Sequence, residues 1–254
     1  NWRREDLSSP MLLAKSCHDL DWIRYMVGVP CTRISSFGSL VHFRPEQRPE
    51  GAGERCLQCD IEPRCPYSAK RLYLDWFDRW NGGWPLDVLT PEVTRASVFE
   101  AVRTGPYGRC VYSCDNDVVD NQVVNMEFEG GLTASFVMTA FTEVGHRKTR
   151  LFGTHGMMEG DGEKIRVVNF VTDQTTEYDT NTAEGTITGG HGGGDYRLTR
   201  AFVEAVARGD RSLILSGPRE TLESHLMVFA AEEARRQGCV VRMEEYENHL
   251  SAQV

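Results

Sequence analysis

Residues 9–28 read SPMLLAKSCHDLDWIRYMVG and decide how the chain begins to fold. Ser9 predicts the N-cap of a helix, because a serine hydroxyl accepts a hydrogen bond from a free amide of the first turn, and Pro10 suits the first helical position. Gly28 predicts the end of the helix, since glycine readily adopts the left-handed backbone that follows a last turn. The apolar residues that give this helix its packing contacts are Met11, Leu12, Cys17, Leu20, Ile23 and Val27.

Three side chains of this helix carry the first chemical signal. Lys15, His18 and Asp21 recur every three residues and therefore lie along one side. Packing gives no reason to align an ammonium, an imidazole and a carboxylate, and histidine is well suited to exchange protons near neutral pH. The alternative is that Lys15 and Asp19 form an exposed i,i+4 pair and that His18 is a boundary histidine. The neighbouring Leu, Ala and Cys residues favour the catalytic interpretation, because partial desolvation perturbs pKa values.

The composition limits the class of protein. The 254 residues, 40% of them hydrophobic, can form a real core in one large domain or two small ones. A net charge of −9, with 28 Lys and Arg scattered among 37 Asp and Glu, argues against a nucleic-acid partner. We find no apolar run that could span a membrane and no leader, so the expectation is a soluble, cytoplasmic protein. Its eight cysteines are then expected to be thiols or metal ligands, not a disulfide framework.

Three of these cysteines lie in a long polar segment rich in proline and glycine, residues 44–66, which predicts a loop that needs something to hold it. Cys56, Cys59 and Cys65 follow a C-x2-C-x5-C spacing that suits a structural zinc ion. The alternative is three reduced thiols in an ordinary surface loop. The candidates for a fourth ligand are His42, Cys114 and a water molecule.

The order of the remaining elements predicts the fold class. We predict strands at Cys31–Phe43, Val123–Phe128, Leu132–Phe141, Arg147–Gly153, Gly156–Asp161, Lys164–Val171, Thr175–Asp179 and Cys239–Met243. Further helices are predicted at Ala69–Trp80, 195–208, Pro218–Gln237 and Pro91–Arg103, the last of which is capped by Thr90. Consecutive hairpins make an antiparallel sheet, and helices at both ends of the chain must cover it. The prediction is therefore an α+β fold with an open, mostly antiparallel β-sheet and helices packed on one face.

Aromatic residues recur in and after the second predicted helix, and they have two interpretations. They could form a platform that stacks on a sugar, but aromatic side chains at helical spacing more often belong to a core or an interface, which we take as the stronger interpretation. The residues are Tyr73, Trp76, Phe77, Trp80 and Trp84.

Two polar clusters are candidate binding sites. Asn116, Asp117 and Asp120 precede the predicted hairpin, although Asn and Asp are also the residues that turns use. The run HGGGD at 191–195 combines His191, glycines that let a ligand approach the backbone, and Asp195, which predicts the cap of a helix. The apolar stripe of this helix is made by Leu198, Ala201, Phe202, Ala205 and Val206. The alternative for this second cluster is a flexible linker with an ordinary capping aspartate.

The stretch PMLLAKSCHDLD at 10–21 resembles the first helix of the C-terminal domain of the Gfo/Idh/MocA oxidoreductases. His18 matches the catalytic histidine of that family and Asp21 matches the aspartate three residues on. Ala14 stands where many members have an acidic residue, which leaves open whether Lys15 or Asp19 assists His18. The cysteine-containing loop, CPYSAK at 65–70, DVVDNQVV at 117–124 and HGGGD are also similar to the family or to one of its branches.

The resemblance implies a domain organisation. Residues 1–243 are expected to form the C-terminal catalytic, substrate and oligomerisation domain, with an insert at 44–66 and a polar tail at 244–254. The family's N-terminal nucleotide-binding domain is expected to be absent from this sequence, because the glycine run at 189–194 lacks the preceding strand and the later acidic residue of a dinucleotide site.

The resemblance also implies a reaction, in which the full-length enzyme moves hydride between NAD or NADP and a hydroxyl carbon of a sugar or polyol. His18 would be the general acid and base, and Lys15 and Asp21 would set its charge and orientation. The substrate hydroxyls would be held by His191 and Asp195, with Asp117 and Asp120 close to the cleft. A homo-oligomer through the sheet face is expected, and this chain alone is expected to be inactive. The alternatives are nicotinamide-dependent glycoside hydrolysis and a non-enzymatic, zinc-stabilised assembly module.

Overall fold

The computed structural model describes residues 2–143, 145–180 and 193–252. The chain divides into two compact units. Unit 1 contains Asn1–Ala140 and Glu220–Val254, and unit 2 contains Phe141–Arg219.

The first helix of unit 1, α1, spans Met11–Val27 and ends as predicted, because Gly28 adopts φ 80° and donates its N–H to the carbonyl of Arg24 at 3.0 Å. The prediction that Ser9 caps the helix is wrong. The helix starts one residue later than predicted, so Pro10 occupies the N-cap position and Ser9 makes no capping hydrogen bond. The residues that α1 buries are Leu12, Ser16, Asp19 and Leu20.

Unit 1 is built on an antiparallel sheet in the order β3-β2-β1-β8. The strands are β1 Cys31–Ser39, β2 Asn121–Phe128, β3 Thr133–Thr139 and β8 Val241–Arg242. Helices α1 and α5, Pro218–Gln237, bury their apolar residues with one face of this sheet. The side chains at the centre of this core include Leu12, Leu20, Ile34, Val124, Phe128, Met227 and Val228.

The strand β1 is shorter than predicted, and the reason is a buried carboxylate. Asp120 accepts hydrogen bonds from the backbone amides of Val41, His42 and Phe43, at 3.1, 2.7 and 3.3 Å. These amides therefore donate to a side chain and not to a neighbouring strand, so the hydrogen-bond ladder of β1 stops at Ser39.

The insert of unit 1 consists of short 3-10 turns at Pro45–Gln47, Cys56–Gln58 and Glu62–Arg64. A π-helical turn at Lys70–Leu74 leads into α2, Asp75–Trp80. The helix predicted to start at Pro91 is α3, Arg95–Thr104, and its cap is Thr94, not Thr90. The reason is a capping box, in which the Thr94 hydroxyl accepts from the amide of Ser97 at 3.1 Å while the Ser97 hydroxyl accepts from the amide of Thr94 at 2.9 Å.

A second, smaller core lies under this insert. Leu74, Leu86 and Val98 are buried there, and Tyr73, Trp76 and Phe77 pack against them. The interpretation of these three aromatic residues as core residues is therefore confirmed. The remaining two aromatic residues of the group, Trp80 and Trp84, are exposed.

Unit 2 contains an antiparallel meander followed by a helix. Its strands are β4 Thr149–Gly153, β5 Gly156–Gly160, β6 Lys164–Asn169 and β7 Gln174–Asp179. Each strand starts and ends within two residues of its predicted bounds. Helix α4 spans Gly194–Arg208. Of its predicted apolar stripe, Ala205 is buried, whereas Leu198, Phe202 and Val206 are 60–73% exposed. Among the described residues of unit 2, Ala205 is the one buried hydrophobic residue.

The end of the chain is helical where a polar tail was predicted. Helix α6 spans Met243–Ser251, Met243 is buried, and Tyr246 packs against the core of unit 1. The α+β class and the antiparallel pairing are confirmed, and the strands are divided between two four-stranded sheets. Over the ranges that the structure describes, no helix is long and apolar enough to cross a membrane.

Candidate functional site

His18 lies on the solvent side of α1, where its side chain is 58% exposed. Its Nε2 atom is 3.4 Å from Oδ2 of Asp19, and the Asp19 side chain is only 11% exposed. A carboxylate fixed by packing can orient an imidazole and stabilise the positive charge that the ring takes up with a proton. Asp19 is thus the acidic group beside His18, whereas Asp21 is half-buried two residues further on.

Lys15 lies one turn before His18 and is also exposed. Its Nζ atom stands 3.2 Å from the centroid of the Trp2 ring, which is the geometry of a cation–π contact. Partial burial lowers the pKa of Lys15 below its ordinary value. The ammonium of Lys15 is thus held in place by an aromatic residue that the sequence analysis did not single out.

A cavity of about 570 Å³ lies in unit 1 and reaches the first residue of α1. Met11 and Trp2 both line it. Met11, Lys15 and His18 are spaced i, i+4 and i+7, so they lie on one side of the helix. The cavity wall and the Lys15–His18 surface are therefore neighbours along α1, with Trp2 in contact with both.

The wall of this cavity includes aromatic rings and guanidinium groups, a chemistry that stacks on flat apolar surfaces and binds anions or hydroxyls. The Nε1 atom of Trp76 is buried and has no hydrogen-bond acceptor among the described residues. The aromatic and charged residues of the wall are Trp2, Phe43, Tyr67, Tyr73, Trp76, Tyr107, Arg3, Arg71, Arg109 and Asp120.

The two carboxylates proposed from the sequence near the cleft have backbone partners. Burial raises the pKa of the Asp120 carboxyl, but the amide of His42 and its neighbours lower it by more, so the pKa lies below its usual range. Asp117 is exposed, and its Oδ1 accepts from the amide of Glu5 at 2.8 Å. Asp120 thus lies at the cavity and anchors the turn after β1, whereas Asp117 tethers the start of the chain.

Arg3 and Arg109 converge on Asp115, a residue that the sequence analysis missed. The Asp115 carboxylate accepts from Nε of Arg3 and from Nη1 of Arg109, each at 2.9 Å. The guanidinium of Arg3, followed by that of Arg109, holds the pKa of Asp115 well below its usual range. Arg3 and Asp115 are 112 positions apart in the chain. No local pattern could have paired them.

The three cysteines of the predicted zinc site border a second, smaller cavity of about 20 Å³. Cys110 is a fourth cysteine on its wall. Burial raises the pKa of the Cys56 thiol, and the nearby Cys65, Cys110 and Cys59 raise it further. Among the residues that the structure describes, no three His, Cys, Asp or Glu side chains are arranged to hold a metal ion.

The two candidates for a fourth ligand have other contacts. The Nε2 atom of His42 is 3.0 Å from the Tyr112 hydroxyl. Cys114 lines the larger cavity and its thiol donates to the carbonyl of Cys110 at 3.3 Å. Sequence reasoning missed Cys110 because it lies far along the chain from the C-x2-C-x5-C spacing.

The glycine-rich candidate site is described only in part. His191 lies outside the described residues. Asp195 belongs to unit 2, where it lies in the first turn of α4 and is not its cap, which corrects the prediction. The N-cap is Gly193 with φ 87°, a left-handed conformation that glycine adopts without strain, so the helix starts before Asp195.

Comparison with known sequences identifies the family. A family profile described as the C-terminal alpha/beta domain of the Gfo/Idh/MocA oxidoreductases matches residues 1–243. The chain belongs to this family. A relative from Bacillus subtilis, YteT, which is named as an oxidoreductase, is 27% identical over 209 residues, covering 76% of this chain and 46% of YteT. The chain therefore spans about half the length of this family relative.

Solved structures with the same fold come from several organisms, and this chain covers about half of the length of each. An oxidoreductase domain protein from Kribbella flavida has a TM-score of 0.56 at 13% identity, covering 96% of this chain and 53% of that one. An oxidoreductase from Agrobacterium radiobacter, in complex with NAD+, L-tartaric acid and magnesium, has a TM-score of 0.53 at 11% identity, covering 92% and 49%. A super-repressor mutant of Gal80p from Saccharomyces cerevisiae has a TM-score of 0.53 at 10% identity, covering 94% and 50%. At these identities the likeness establishes the fold alone, so function must be argued from the site.

Proposed function

We propose that the full-length protein is an NAD(P)-dependent oxidoreductase that transfers hydride to or from a hydroxyl carbon of a sugar or polyol. The observation that carries the proposal is the exposed imidazole of His18 beside the buried carboxylate of Asp19, at 3.4 Å. An exposed base with a fixed acidic neighbour is the arrangement that general acid–base catalysis needs. Family membership supports the same reaction class.

In the proposed reaction His18 takes the proton of the substrate hydroxyl as the carbon loses hydride, and returns it in the reverse direction. The nicotinamide supplies or accepts the hydride when it is bound. Asp19 orients the imidazole, and Lys15 and Asp21 set the charge around it.

The nicotinamide is not assigned to the described residues. Every strand pairing among them is antiparallel, whereas dinucleotide-binding domains are built on a mostly parallel sheet. We therefore propose that another part of the full-length protein binds NAD or NADP, and that this chain alone is inactive. Its coverage of about half of YteT is consistent with that division.

The aromatic cavity supports a carbohydrate substrate. Its volume of about 570 Å³ is in the range of small-molecule sites, and an aromatic ring of its wall such as that of Trp2 can stack on the C–H face of a sugar. We propose that Asp120 contributes to this site at the cavity wall. Asp117, His191 and Asp195 are proposed as contacts to substrate hydroxyls on the family resemblance.

An exposed apolar row on the open face of the unit 1 sheet supports a homo-oligomer. Phe37 pairs with Val123, and Val123 pairs with Val137, so the three side chains lie side by side. Phe37 is 69% and Val137 63% exposed. We propose that a second copy of the chain covers this row. Phe37→Asp is expected to lower the mass measured by sedimentation velocity, and an unchanged mass would contradict the proposed contact.

We also propose that the protein works in the cytoplasm. Its eight cysteines are all free, as expected for a compartment that keeps thiols reduced.

The proposal is tested by assaying the full-length protein with NAD+ and NADP+ against a panel of neutral sugars, uronic acids and polyols. Formation of reduced nicotinamide that depends on the sugar, and is lost in His18→Ala, is the expected result. Cleavage of a glycoside without net formation of reduced nicotinamide would instead establish the hydrolase alternative. A full-length protein that binds no nicotinamide and turns over no substrate in the panel would contradict the proposal.

A further inference from the structure

The charge on the wall of the larger cavity of unit 1 is opposite to the charge of the whole chain. The chain is acidic, with a net charge of −9. Within the described part of the chain, the ionised side chains on the cavity wall are Arg3, Arg71, Arg109 and Asp120. Arginine keeps its positive charge throughout the physiological pH range. Three guanidinium groups therefore line this cavity with one carboxylate.

The one carboxylate of the wall is already bound to the protein. Asp120 is 4% exposed and accepts hydrogen bonds from the backbone amides of residues 41–43. Its Oδ1 also accepts from Nδ2 of Asn121 at 2.9 Å. These donors compensate much of the negative charge of Asp120, so a ligand in the cavity meets little of it.

Arg3 and Arg109 share a single carboxylate. Nε of Arg3 and Nη1 of Arg109 each lie 2.9 Å from the same Oδ1 atom of Asp115. One of the two positive charges is therefore not compensated by Asp115.

The Cys114 thiol, on the same wall, responds to this excess of positive charge. Burial raises the pKa of Cys114, whereas Arg109 and Arg3 lower it, each by more than Asp115 raises it. The electrostatic potential that these three charges produce at the wall is thus positive, which attracts an anionic ligand.

Arg71 is the guanidinium with the most donors available to a ligand. Its side chain is exposed and lines the cavity. Across the residues that the structure describes, its guanidinium donates from Nη2 to the carbonyl of Cys65 at 2.7 Å and forms no ion pair. This bond holds the group in place and leaves the N–H groups of Nε and Nη1 for a carboxylate, with which arginine makes strong, charge-assisted hydrogen bonds.

We propose that the larger cavity binds a sugar that carries a carboxylate, such as a hexuronate, and that Arg71 binds the carboxylate. An aromatic ring of the wall, such as that of Trp2, packs on the sugar ring, while Arg3 and Arg109 make the surrounding potential positive. The inference rests on the proposed function, because it names the class of sugar that the proposed oxidoreductase uses.

The test compares acidic sugars with neutral sugars of the same stereochemistry. The full-length protein is assayed with D-glucuronate and D-galacturonate against D-glucose and D-galactose, which differ from them only at C6, and against the hexose 6-phosphates. We expect kcat/KM to be at least about tenfold higher for a hexuronate than for its matched hexose, since a hydrogen bond to a charged group is worth that much or more.

Arg71→Gln tests the assigned residue. This variant is expected to raise KM for the hexuronate about tenfold more than KM for the hexose. The matched control is Arg79→Gln, which removes an exposed arginine of α2 that does not line the cavity and should keep the wild-type KM for both sugars. A preference for the hexuronate that is unchanged in Arg71→Gln would overturn the role of Arg71.

The wild-type preference decides the class of sugar even if Arg71→Gln fails to fold. Equal kcat/KM for hexuronate and hexose would overturn this inference and leave the proposed oxidoreductase standing. A preference for the hexose phosphates would overturn the carboxylate.

Calorimetric binding separates the two proposals if no sugar reduces the nicotinamide. Binding of a hexuronate that is weakened in Arg71→Gln would then support the carboxylate site and contradict the proposed hydride transfer. A full-length protein that binds no hexuronate would overturn the carboxylate site.

Discussion

Units 1 and 2 each contain a four-stranded antiparallel sheet, yet they differ in what those sheets bury. In unit 1 the inner face of the sheet and the helices α1 and α5 share a core in which Leu20, Phe128 and Met227 are almost fully inaccessible. In the described part of unit 2, Ala205 is the one buried hydrophobic residue, and Phe152 on β4 is 77% exposed.

The difference shows where a precisely held side chain can be found. A catalytic site needs a rigid element to carry it, and α1 is such an element because its buried face packs in the core of unit 1. Unit 2 instead exposes large apolar side chains on its sheet and on α4. We therefore propose that proton transfer belongs to unit 1 and that unit 2 contributes substrate contact through Asp195.

The largest expected effect comes from substituting two phenylalanines, one buried in unit 1 and one exposed in unit 2. Phe128→Ala removes a side chain that is 1% exposed and is expected to lower the free energy of unfolding by about 3–5 kcal/mol. Phe152→Ala removes one that is 77% exposed and is expected to change it by less than about 0.5 kcal/mol. Calorimetric unfolding of both variants measures the two changes. An equal loss of stability in the two variants would break the comparison.

A smaller loss of stability is expected when a carboxylate that binds backbone amides is removed. The two carboxylates compared are buried Asp120 in unit 1 and exposed Asp161 in unit 2. Asp161 accepts from the amides of Lys164 and Glu163, at 2.8 and 3.0 Å. Asp120→Ala leaves three amides without their acceptor and is expected to cost about 1.5–3 kcal/mol. Asp161→Ala is expected to cost less, because water replaces the carboxylate. Calorimetric unfolding of both variants measures the difference, and an equal or larger loss in Asp161→Ala would contradict it.

The stabilisation that the Asp120 and Asp161 carboxylates provide depends on pH in a defined direction. Hydrogen bonds from the amides lower the pKa of both carboxyls in the folded state, and for Asp120 they outweigh the opposing effect of burial. The stabilisation is therefore complete above the unfolded pKa of about 3.9 and is lost as the pH falls through the folded value. The stability difference between wild type and Asp120→Ala is expected to shrink as the pH is lowered below about 4. A difference that grows in acid would show that the carboxylate is not the stabilising form.

The smallest effect that we predict separates an orienting residue of unit 1 from a binding residue of unit 2. Asp19→Asn weakens the contact that orients His18 and is expected to lower kcat about tenfold with little change in KM. Asp195→Asn is expected to raise KM and leave kcat near the wild-type value, because this residue is proposed to hold the substrate. Steady-state kinetics of the full-length variants distinguish the two. A loss of kcat in Asp195→Asn equal to that in Asp19→Asn would remove the distinction between the units.

The sequence predicted those parts of the fold that depend on local signals. Helix α5 has the predicted bounds, and the hairpin of β2 and β3 follows from alternating residues around Gly130 and Gly131. Cap selection was harder, because Thr90 and Thr94 offer the same hydroxyl and only the reciprocal bond with Ser97 decides between them. Periodicity predicted the apolar stripe of α4 but not how much of it is buried, because burial depends on which other element covers the stripe.

The candidate site was predicted in part for the same reason. The spacing of Lys15 and His18 placed both on one side of α1, and in the structure both are exposed. The contact between Lys15 and Trp2, the convergence of Arg3 on Asp115 and the approach of Cys110 all depend on residues that are separated in the sequence and adjacent only after folding. No periodicity or local motif encodes such contacts.

The most direct test of the assignment of proton transfer to unit 1 is the pH dependence of kcat in the full-length protein with His18→Ala. We expect kcat to fall about 10²–10⁴-fold and the ionisation that controls the wild-type rate to disappear. Thermal stability should stay near the wild-type value, because the side chain is 58% exposed. His155→Ala, which removes an exposed histidine of unit 2, should keep the wild-type rate and pH profile. A His18→Ala enzyme that turns over within about twofold of wild type, with the same pH profile, would contradict the role of His18.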